Sequence, residues 1–388
     1  MKAIYLDHAA TTPIRAEVRE AMDPYLHKSF GNPSSLHRWG QEASAALENA
    51  RASVAKSLGA ACPEEIYFTR GGTESDNLAV LGHSRWLMQN QKKRVTLVVS
   101  SIEHSAVLDP AKFISRYEEV DLVILPVSPE GFLDQEILEL TLKSGPTLVS
   151  VMWINNETGL IFPVSDISCL VHELGGTIHT DAVQAVGKIP INLNESSIHL
   201  LTATGHKIHG PKSTGILFVR SGVHLVPILY GGQQEKTMRA GTEDVAGAVG
   251  FACSLELAVQ EQQQQAKRLI ELRSSLETRL LELIPGLRVN MQNANRAAHI
   301  SSIGIDGVDR EDLLAALDLE GIAASGGSAC ESGSTMPSHV ITALYGQEDS
   351  VGNVRFSLGR DTTEEDIDQT VAKLTDIVAR IRKLGVKL

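Results

Sequence analysis

The segment Thr204 to Lys212, TGHKIHGPK, places Lys207 beside His206 among glycines, directly after the apolar, strand-like residues His199, Leu200 and Leu201. A lysine at the end of a buried strand, on a glycine-hinged loop, loses hydration and with it affinity for its proton. An amine whose pKa falls from about 10.4 toward roughly 7 to 8 condenses with an aldehyde at neutral pH. Lys207 is therefore a candidate nucleophile.

A partner lies upstream in TIHTDAVQAVGK, where the β-branched run Thr177 to Thr180 delivers Asp181 at its carboxyl end. Ligands of open α/β sheets bind at such ends. A carboxylate there can pair with a protonated pyridine nitrogen and make the ring of pyridoxal 5'-phosphate (PLP) an electron sink, with Gln184 reaching the ring's phenolic oxygen. Taken singly, Asp181 is more readily the cap of the next helix and Lys207 a surface charge. Their conjunction with the segments below favours a site.

In FTRGGTESDNLAV, strand residues Ile66 to Thr69 lead into Gly71, Gly72 and Thr73 and a helix opening at Glu74. Glycines admit an anion to the backbone, and a helix N-terminus offers unpaired N–H groups with a favourable dipole. A tight strand-to-helix turn needs glycine in any case. His104 follows the strand ending at Ser100, where its imidazole could stack on a planar ring, move protons, or simply pack. Asn156, in WINNETG, stands at another expected strand end, where its amide could bond a ring or substrate oxygen. Arg355, in NVRFSLGR, has the planar fork that grips a substrate carboxylate, although on its own a surface ion pair is the commoner use. Thr242, in MRAGTED, could donate to phosphate or cap the helix that follows.

Cys330 sits in SGGSACESGS, surrounded by Gly and Ser. Structural cysteines have apolar neighbours, whereas a thiolate on a polar arm can attack a substrate sulfur and carry it off as a persulfide. Gly326, Gly327 and Gly333 would be its hinges. Cys62, Cys169 and Cys253 read as packing residues, and with no CxxC pair neither a disulfide framework nor a structural zinc site is expected.

The elements that must position these residues follow from periodicity. Ile66–Thr69, Val95–Ser100, Leu122–Leu125, Thr147–Ile154, Thr177–Thr180, Leu200–Ala203 and Ile216–Val219 read as strands. A helix is predicted over 35–58, with Leu36, Trp39, Ala43, Leu47, Ala50 and Val54 on one face and Gly59 as its stop. Such alternation implies a largely parallel sheet covered on both sides. A long helix is expected from about Glu243. Beyond it an α+β region holds a helix near Glu311–Leu319, a strand near Val354–Ser357, and a last helix capped by Thr362 with Glu365. A chain of 388 residues with 43% apolar content supports two domains, and 35 basic against 47 acidic residues (35 − 47 = −12) disfavour nucleic acid or an anionic membrane as the main partner. With no bilayer-length apolar run and no signal-peptide core, a cytoplasmic location is expected.

These motifs resemble, from end to end, the cysteine desulfurases of NifS/IscS type among the class V aminotransferases. The resemblance rests on YLDHAATTP, GNPSSLH, GGTESDN, Glu103–His104, NNETG, HTDAVQ, GHKIHGPK, RAGTE, GSAC, PSHV, VRFSLG and TTEEDID. It implies a PLP-dependent fold of type I, with a large domain over 14–256. A small domain from 1–13 and 257–388 would carry the cysteine loop 325–336. It implies Lys207 as the Schiff-base lysine, Asp181 beside the pyridine nitrogen, Gln184 and Asn156 near the phenolic oxygen, and His104 on the ring as an acid/base. Thr73, Gly72, Thr204 and His206 would hold the phosphate, with Thr242 from the second subunit of a homodimer. Arg355 and Asn156 would bind substrate, and Cys330 would take the sulfur as L-cysteine becomes L-alanine. The acceptors implied are iron–sulfur scaffold proteins, tRNA-thiolation enzymes or cofactor-biosynthesis proteins. Two departures stand out: Gln234, Glu235, Lys236 and Thr237 replace the frequent QERG, and Thr204 replaces a serine.

A selenocysteine lyase shares the PLP residues and needs the loop thiol less, so relative turnover of the two amino acids separates them. Gly205 and Gly210 have the spacing of a nucleotide-binding loop, but Pro211 intervenes before the lysine and removes an N–H. A non-enzymatic sulfur-assembly scaffold would bind no cofactor.

Overall fold

The computed structural model describes residues 3–91, 93–327, 338–346 and 352–385. The chain opens with β1 (Ile4–Tyr5), α1 (Ala16–His27) and α2 (Arg38–Leu58). Then come β2 (Ile66–Thr69), α3 (Gly72–Asn77) and α4 (His83–Asn90), the two helices joined without a break by a π-helical turn, Leu78–Gly82. The alternation continues through β3 (Val95–Ser100), α5 (Ser105–Tyr117), β4 (Val120–Leu125), α6 (Gln135–Leu142), β5 (Thr147–Ser150), α7 (Val164–Glu173), β6 (Thr177–Asp181), β7 (Leu200–Thr204) and β8 (Gly215–Val219). Among the described residues these strands form a seven-stranded sheet in the order β2-β8-β7-β6-β5-β3-β4. β8 runs antiparallel to β2 and β7, and the remaining pairs are parallel.

Strands β3, β5, β7 and β8 are buried at every residue, which is why apolar residues and small buried Thr and Ser fill both of their faces instead of alternating with exposed polar ones. Phe162, Phe218 and Phe251 are fully buried beside this sheet, each stabilising the fold by roughly 2 kcal/mol. The parallel strands all point their carboxyl ends to one edge, and that edge receives the site.

The second half begins with α8 (Val245–Leu283), a 39-residue helix. Its amino-terminal part packs on α1 and α2, while Leu272, Leu276 and Leu280 enter a separate apolar core with Ile4, Leu6, Ile303, Leu313, Phe356 and Leu374. Around that core lie β9 (Leu287–Val289), β10 (Ile300–Ile305), α9 (Arg310–Leu319), β11 (Ile322–Ala323), β12 (Gly352–Ser357) and α11 (Glu364–Gly385), whereas α10 (His339–Tyr345) sends Val340 and Leu344 into the core of the large sheet. β12-β10-β9 is an antiparallel sheet, and β1 pairs in parallel with β11, so the chain start is built into the C-terminal half. Among the described residues no helix is long and apolar enough to cross a membrane.

Three expectations shift. The strand expected over 147–154 ends at Ser150, because the backbone beyond it turns to line the cleft. The helix expected from Ser35 starts at Arg38: the His37 side chain accepts from Gly40 N, leaving Leu36 92% and Trp39 46% exposed rather than on the buried face. The final capping box is displaced by one residue, with Thr363 and Asp366 exchanging backbone-to-side-chain bonds of 2.9 and 3.2 Å. The Thr362 hydroxyl instead accepts from Gly359 N at 2.9 Å.

Candidate active site

A cleft at the carboxyl edge of the sheet is lined by Ala9, Ala10, Gly72, Thr73, Asp76, His104, Asn156, Asp181, Gln184, Thr204, His206, Lys207 and Arg355. Lys207 follows β7 in a single 3-10 turn, Gly205–Lys207, and its Nζ donates to the carbonyls of Ala9 and Ala10 at 2.6 and 2.7 Å. The N-terminal segment thus fixes the amine over the cleft. Asp181 ends β6 and is 6% exposed, and its Oδ1 accepts from Val183 N at 2.9 Å. It both turns the chain, as a cap would, and faces the cleft.

Burial raises the Asp181 carboxyl above the ordinary carboxylate range, against the lowering pull of His104, the Val183 N–H and Lys207. Asp76, on α3, is raised well above its ordinary value by burial and then by Asp181, and its Oδ1 is buried without a hydrogen-bond partner. Glu103 is fully buried and pushed up to about 8 by desolvation, although its Oε1 accepts from Ser100 Oγ at 2.5 Å and Met152 N at 2.9 Å. His179 lies beneath Asp76, with Nε2 3.6 Å from Oδ1, and burial holds it neutral at about 3. Buried carboxyls short of compensation form a floor that gains from a cation held against it, and a protonated pyridine nitrogen is such a cation.

At the other end, Gly71 adopts φ 128°, open to glycine alone, and lets α3 begin with Gly72 and Thr73 facing the cleft. Thr204 Oγ1 donates to Thr214 O at 3.0 Å. His206 contacts Thr11 Oγ1 at 3.2 Å and is lowered to about 4 by burial and then by Lys207, so it is neutral at physiological pH. A helix start, two hydroxyls and a neutral imidazole suit a phosphate group. The donor set therefore fits PLP end to end.

His104 caps α5, its Nδ1 accepting from Ala106 N at 3.1 Å, and burial lowers its pKa. Asn156 lies in the loop beyond β5 rather than at the strand end itself. Its carbonyl accepts from Arg355 Nη1 at 2.8 Å, while Arg355 Nη2 reaches Asp7 Oδ1 at 2.7 Å. Arg355 is 2% exposed and its buried Nε has no hydrogen-bond partner, so its fork is held rigid at the cleft. Thr242 is exposed and does not line the cleft, and α8 is capped instead by Asp244, which accepts from Gly247 N at 2.9 Å. Of the cysteines expected to pack, Cys169 is exposed.

Cys330 and residues 328–336 of the expected 325–336 loop lie outside the described residues. Their flanks do not. Ser338 Oγ donates to Glu157 Oε2 at 2.6 Å, and a Cβ on Gly327, which has φ 147°, would come within 2.9 Å of the same oxygen. Glu157 follows Asn156, and His339 Nε2 lies 2.9 Å from Glu103 O, next to His104. Both ends of the cysteine segment therefore attach at the cleft.

Sequence reasoning missed Asp7, Asp76, Glu157 and Lys188. Lys188 Nζ donates to Gln184 Oε1 at 2.8 Å, and burial, with Lys207 and Arg355 nearby, lowers it to about 7. Its spacing of four residues from Gln184, one helical turn, was the available signal. Among the described residues no group of His, Cys, Asp and Glu side chains could hold a metal ion.

The family model for class V aminotransferases matches residues 4–370. The cysteine desulfurase IscS of Dictyoglomus turgidum is 42% identical over 385 residues, covering 99% of this chain and 96% of that protein. The cysteine desulfurase NifS of Azotobacter vinelandii is 42% identical over 386 residues, covering 99% and 95%. Among solved structures, a NifS-like protein superposes with a TM-score of 0.90 at 34% identity, covering 98% of this chain and all (100%) of that one. A protein described as SspA in complex with cysteine gives a TM-score of 0.78 at 31% identity over 92% and 98% of the two chains. The fold expected from the motifs, PLP-dependent fold type I, is thus the one found. The chain belongs to the class V aminotransferase family and, within it, to the cysteine desulfurases of NifS and IscS type.

Proposed function

We propose that this protein is a PLP-dependent cysteine desulfurase that converts L-cysteine to L-alanine and takes the sulfur on Cys330 as a persulfide. The observation that carries the reading is a single cleft holding Lys207, Asp181, Gln184, His104 and Arg355, at which both ends of the Cys330 segment attach. Lys207 and Asp181 would hold the aldehyde and ring-nitrogen ends of the cofactor, Gln184 and Asn156 its phenolic side, and Gly72, Thr73, Thr204 and His206 its phosphate. PLP supplies an electron sink that loosens bonds at the substrate's α-carbon and weakens the C–S bond.

The chain's own residues do the rest. Arg355, locked between Asp7 and the Asn156 carbonyl, binds the substrate carboxylate and fixes its orientation. His104, kept neutral by burial and held by Ala106 N, accepts or returns a proton over the cleft. Lys207, when its amine is free, would take or return the α-carbon proton. The Cys330 thiolate attacks the substrate sulfur: one S–S bond forms, the Cβ–S bond breaks, and the Cβ receives the electron pair and a proton.

Thr242 acts, in this reading, from a second copy of the chain, since within one chain it is exposed and away from the cleft. Residues 14–256 form the large domain and 1–13 with 257–388 the small one. The separate core shared by Ile4, Leu6 and Leu272–Val378 supports that division, and its boundary falls inside α8. The persulfide is then offered to a sulfur-acceptor protein, an iron–sulfur scaffold or tRNA-thiolation enzyme.

Lys207→Ala should purify without the visible band that borohydride bleaches, and a persisting bleachable band rejects the assigned amine. Cys330→Ser should keep that band yet lose sulfur transfer from cysteine, and retained desulfurase turnover in this variant rejects the assigned thiol.

A further inference from the structure

Gln184 is 3% exposed, and its amide sits between groups that leave it one orientation. Lys188 Nζ donates to Oε1 at 2.8 Å and His299 Nε2 lies 3.4 Å from the same oxygen, while Nε2 donates to Ala9 O at 2.9 Å. Ala9 O is also bound by Lys207 Nζ at 2.6 Å, so the chain Lys188, Gln184, Ala9 carbonyl, Lys207 is continuous. Turning the amide over would set its NH2 against the Lys188 amine and its oxygen against the Ala9 carbonyl, two like-with-like contacts in a dry site.

We propose that Lys188 is a positioning residue that fixes the Gln184 amide so that it presents a hydrogen-bond donor, not an acceptor, to the cleft. The inference rests on the reading that the cleft holds PLP with its phenolic oxygen toward Gln184. A donor aimed at that oxygen stabilises its anionic form; an amide free to turn does so for only part of its population. Lys188 does not itself line the cleft, and it reaches the cleft through its bond to Gln184. Burial first, then Lys207 and Arg355, lower its pKa to about 7, and the bond to Gln184 holds the amine in place.

The test uses purified full-length protein, wild type and the variants Lys188→Met, Lys188→Arg, Gln184→Ala and the Met/Ala double. PLP affinity is read by fluorescence quenching on reloading the apoprotein, together with the absorption spectrum at one fixed pH. Lys188→Met should weaken PLP binding about tenfold, the loss of one hydrogen bond supported by charge, and move intensity from the visible band to the near ultraviolet. Lys188→Arg should restore both readouts to within roughly twofold. In the Gln184→Ala background, Lys188→Met should add nothing further. Full additivity in the double variant, or a Lys188→Met spectrum and affinity equal to wild type, overturns the assignment while leaving the PLP site standing. A wild-type protein that takes up no PLP overturns the reading of the cleft and this role with it.

Discussion

Replacing Glu103 with glutamine should remove a pH dependence that the wild-type fold carries. Glu103 is fully buried, one oxygen holds Ser100 Oγ and Met152 N, and the other has no hydrogen-bond partner. Desolvation raises its pKa from 4.5 to about 8. Between those values the folded protein keeps a proton that the unfolded chain has released, so stability falls as pH rises through the interval and levels off above it. Integrating the linkage from pH 5 to pH 8 gives a loss of about 3.5 kcal/mol, or about 2.5 kcal/mol were the folded value one unit lower. Glutamine keeps the acceptor for Ser100 and Met152 and carries no charge. Its extra amide hydrogens lack acceptors, which costs roughly 1 to 2 kcal/mol at every pH. Urea unfolding of both proteins from pH 5 to 8 therefore yields a difference curve whose slope, not its offset, is the signal. A protonated-carboxyl stretch in the wild-type-minus-variant infrared spectrum at neutral pH gives a second reading. Parallel stability curves, with no such stretch, would show that Glu103 is ionised and that the floor of the cleft carries its charge.

Thr237 ends a run of three non-glycine residues with left-handed backbone, Glu235 at φ 45°, Lys236 at 56° and Thr237 at 69°. The buried, bidentate Glu235–Arg51 pair, 2.8 Å on each arm, holds this strained turn. Thr237→Gly should stabilise the protein by about 1 kcal/mol in thermal unfolding, and an unchanged or lower midpoint contradicts the strain argument. Arg355→Lys keeps the charge but loses the fork, so the KM for cysteine should rise about tenfold with kcat within about threefold. An unchanged KM removes Arg355 from substrate binding.

Legibility tracked the source of burial. The central strands were readable because a sheet covered on both faces demands continuous apolar runs, and Asp181, Lys207, His104 and Gln184 converge because they follow the ends of such strands. β10 escaped notice because Ser301 and Ser302 are buried within it, at 0% and 4% exposure, and Ser302 is satisfied by Asn290 Nδ2 rather than by apolar packing. Leu36 and Trp39 matched a helical period without belonging to a buried face. Asp7 and Asp76 were invisible for another reason: each takes its meaning from partners brought in by the fold, Arg355 from 348 residues away in the case of Asp7.

The three carboxyls around the floor of the cleft raise the question of which one stays ionised. Asp76 has burial and two neighbouring acids, Asp181 and Glu103, acting against its charge, with Thr202 alone easing it. Glu103 is neutral for the reasons given above. Asp181 is raised by burial as well, but His104, the Val183 N–H and Lys207 all favour its anion, so the first proton to leave this cluster leaves Asp181. The deeper carboxyls thus serve by staying protonated: they line the floor without repelling the Asp181 anion, and the single negative charge points into the cleft where a protonated ring nitrogen would meet it. One anion backed by neutral acids supplies the pairing with least cost to the fold.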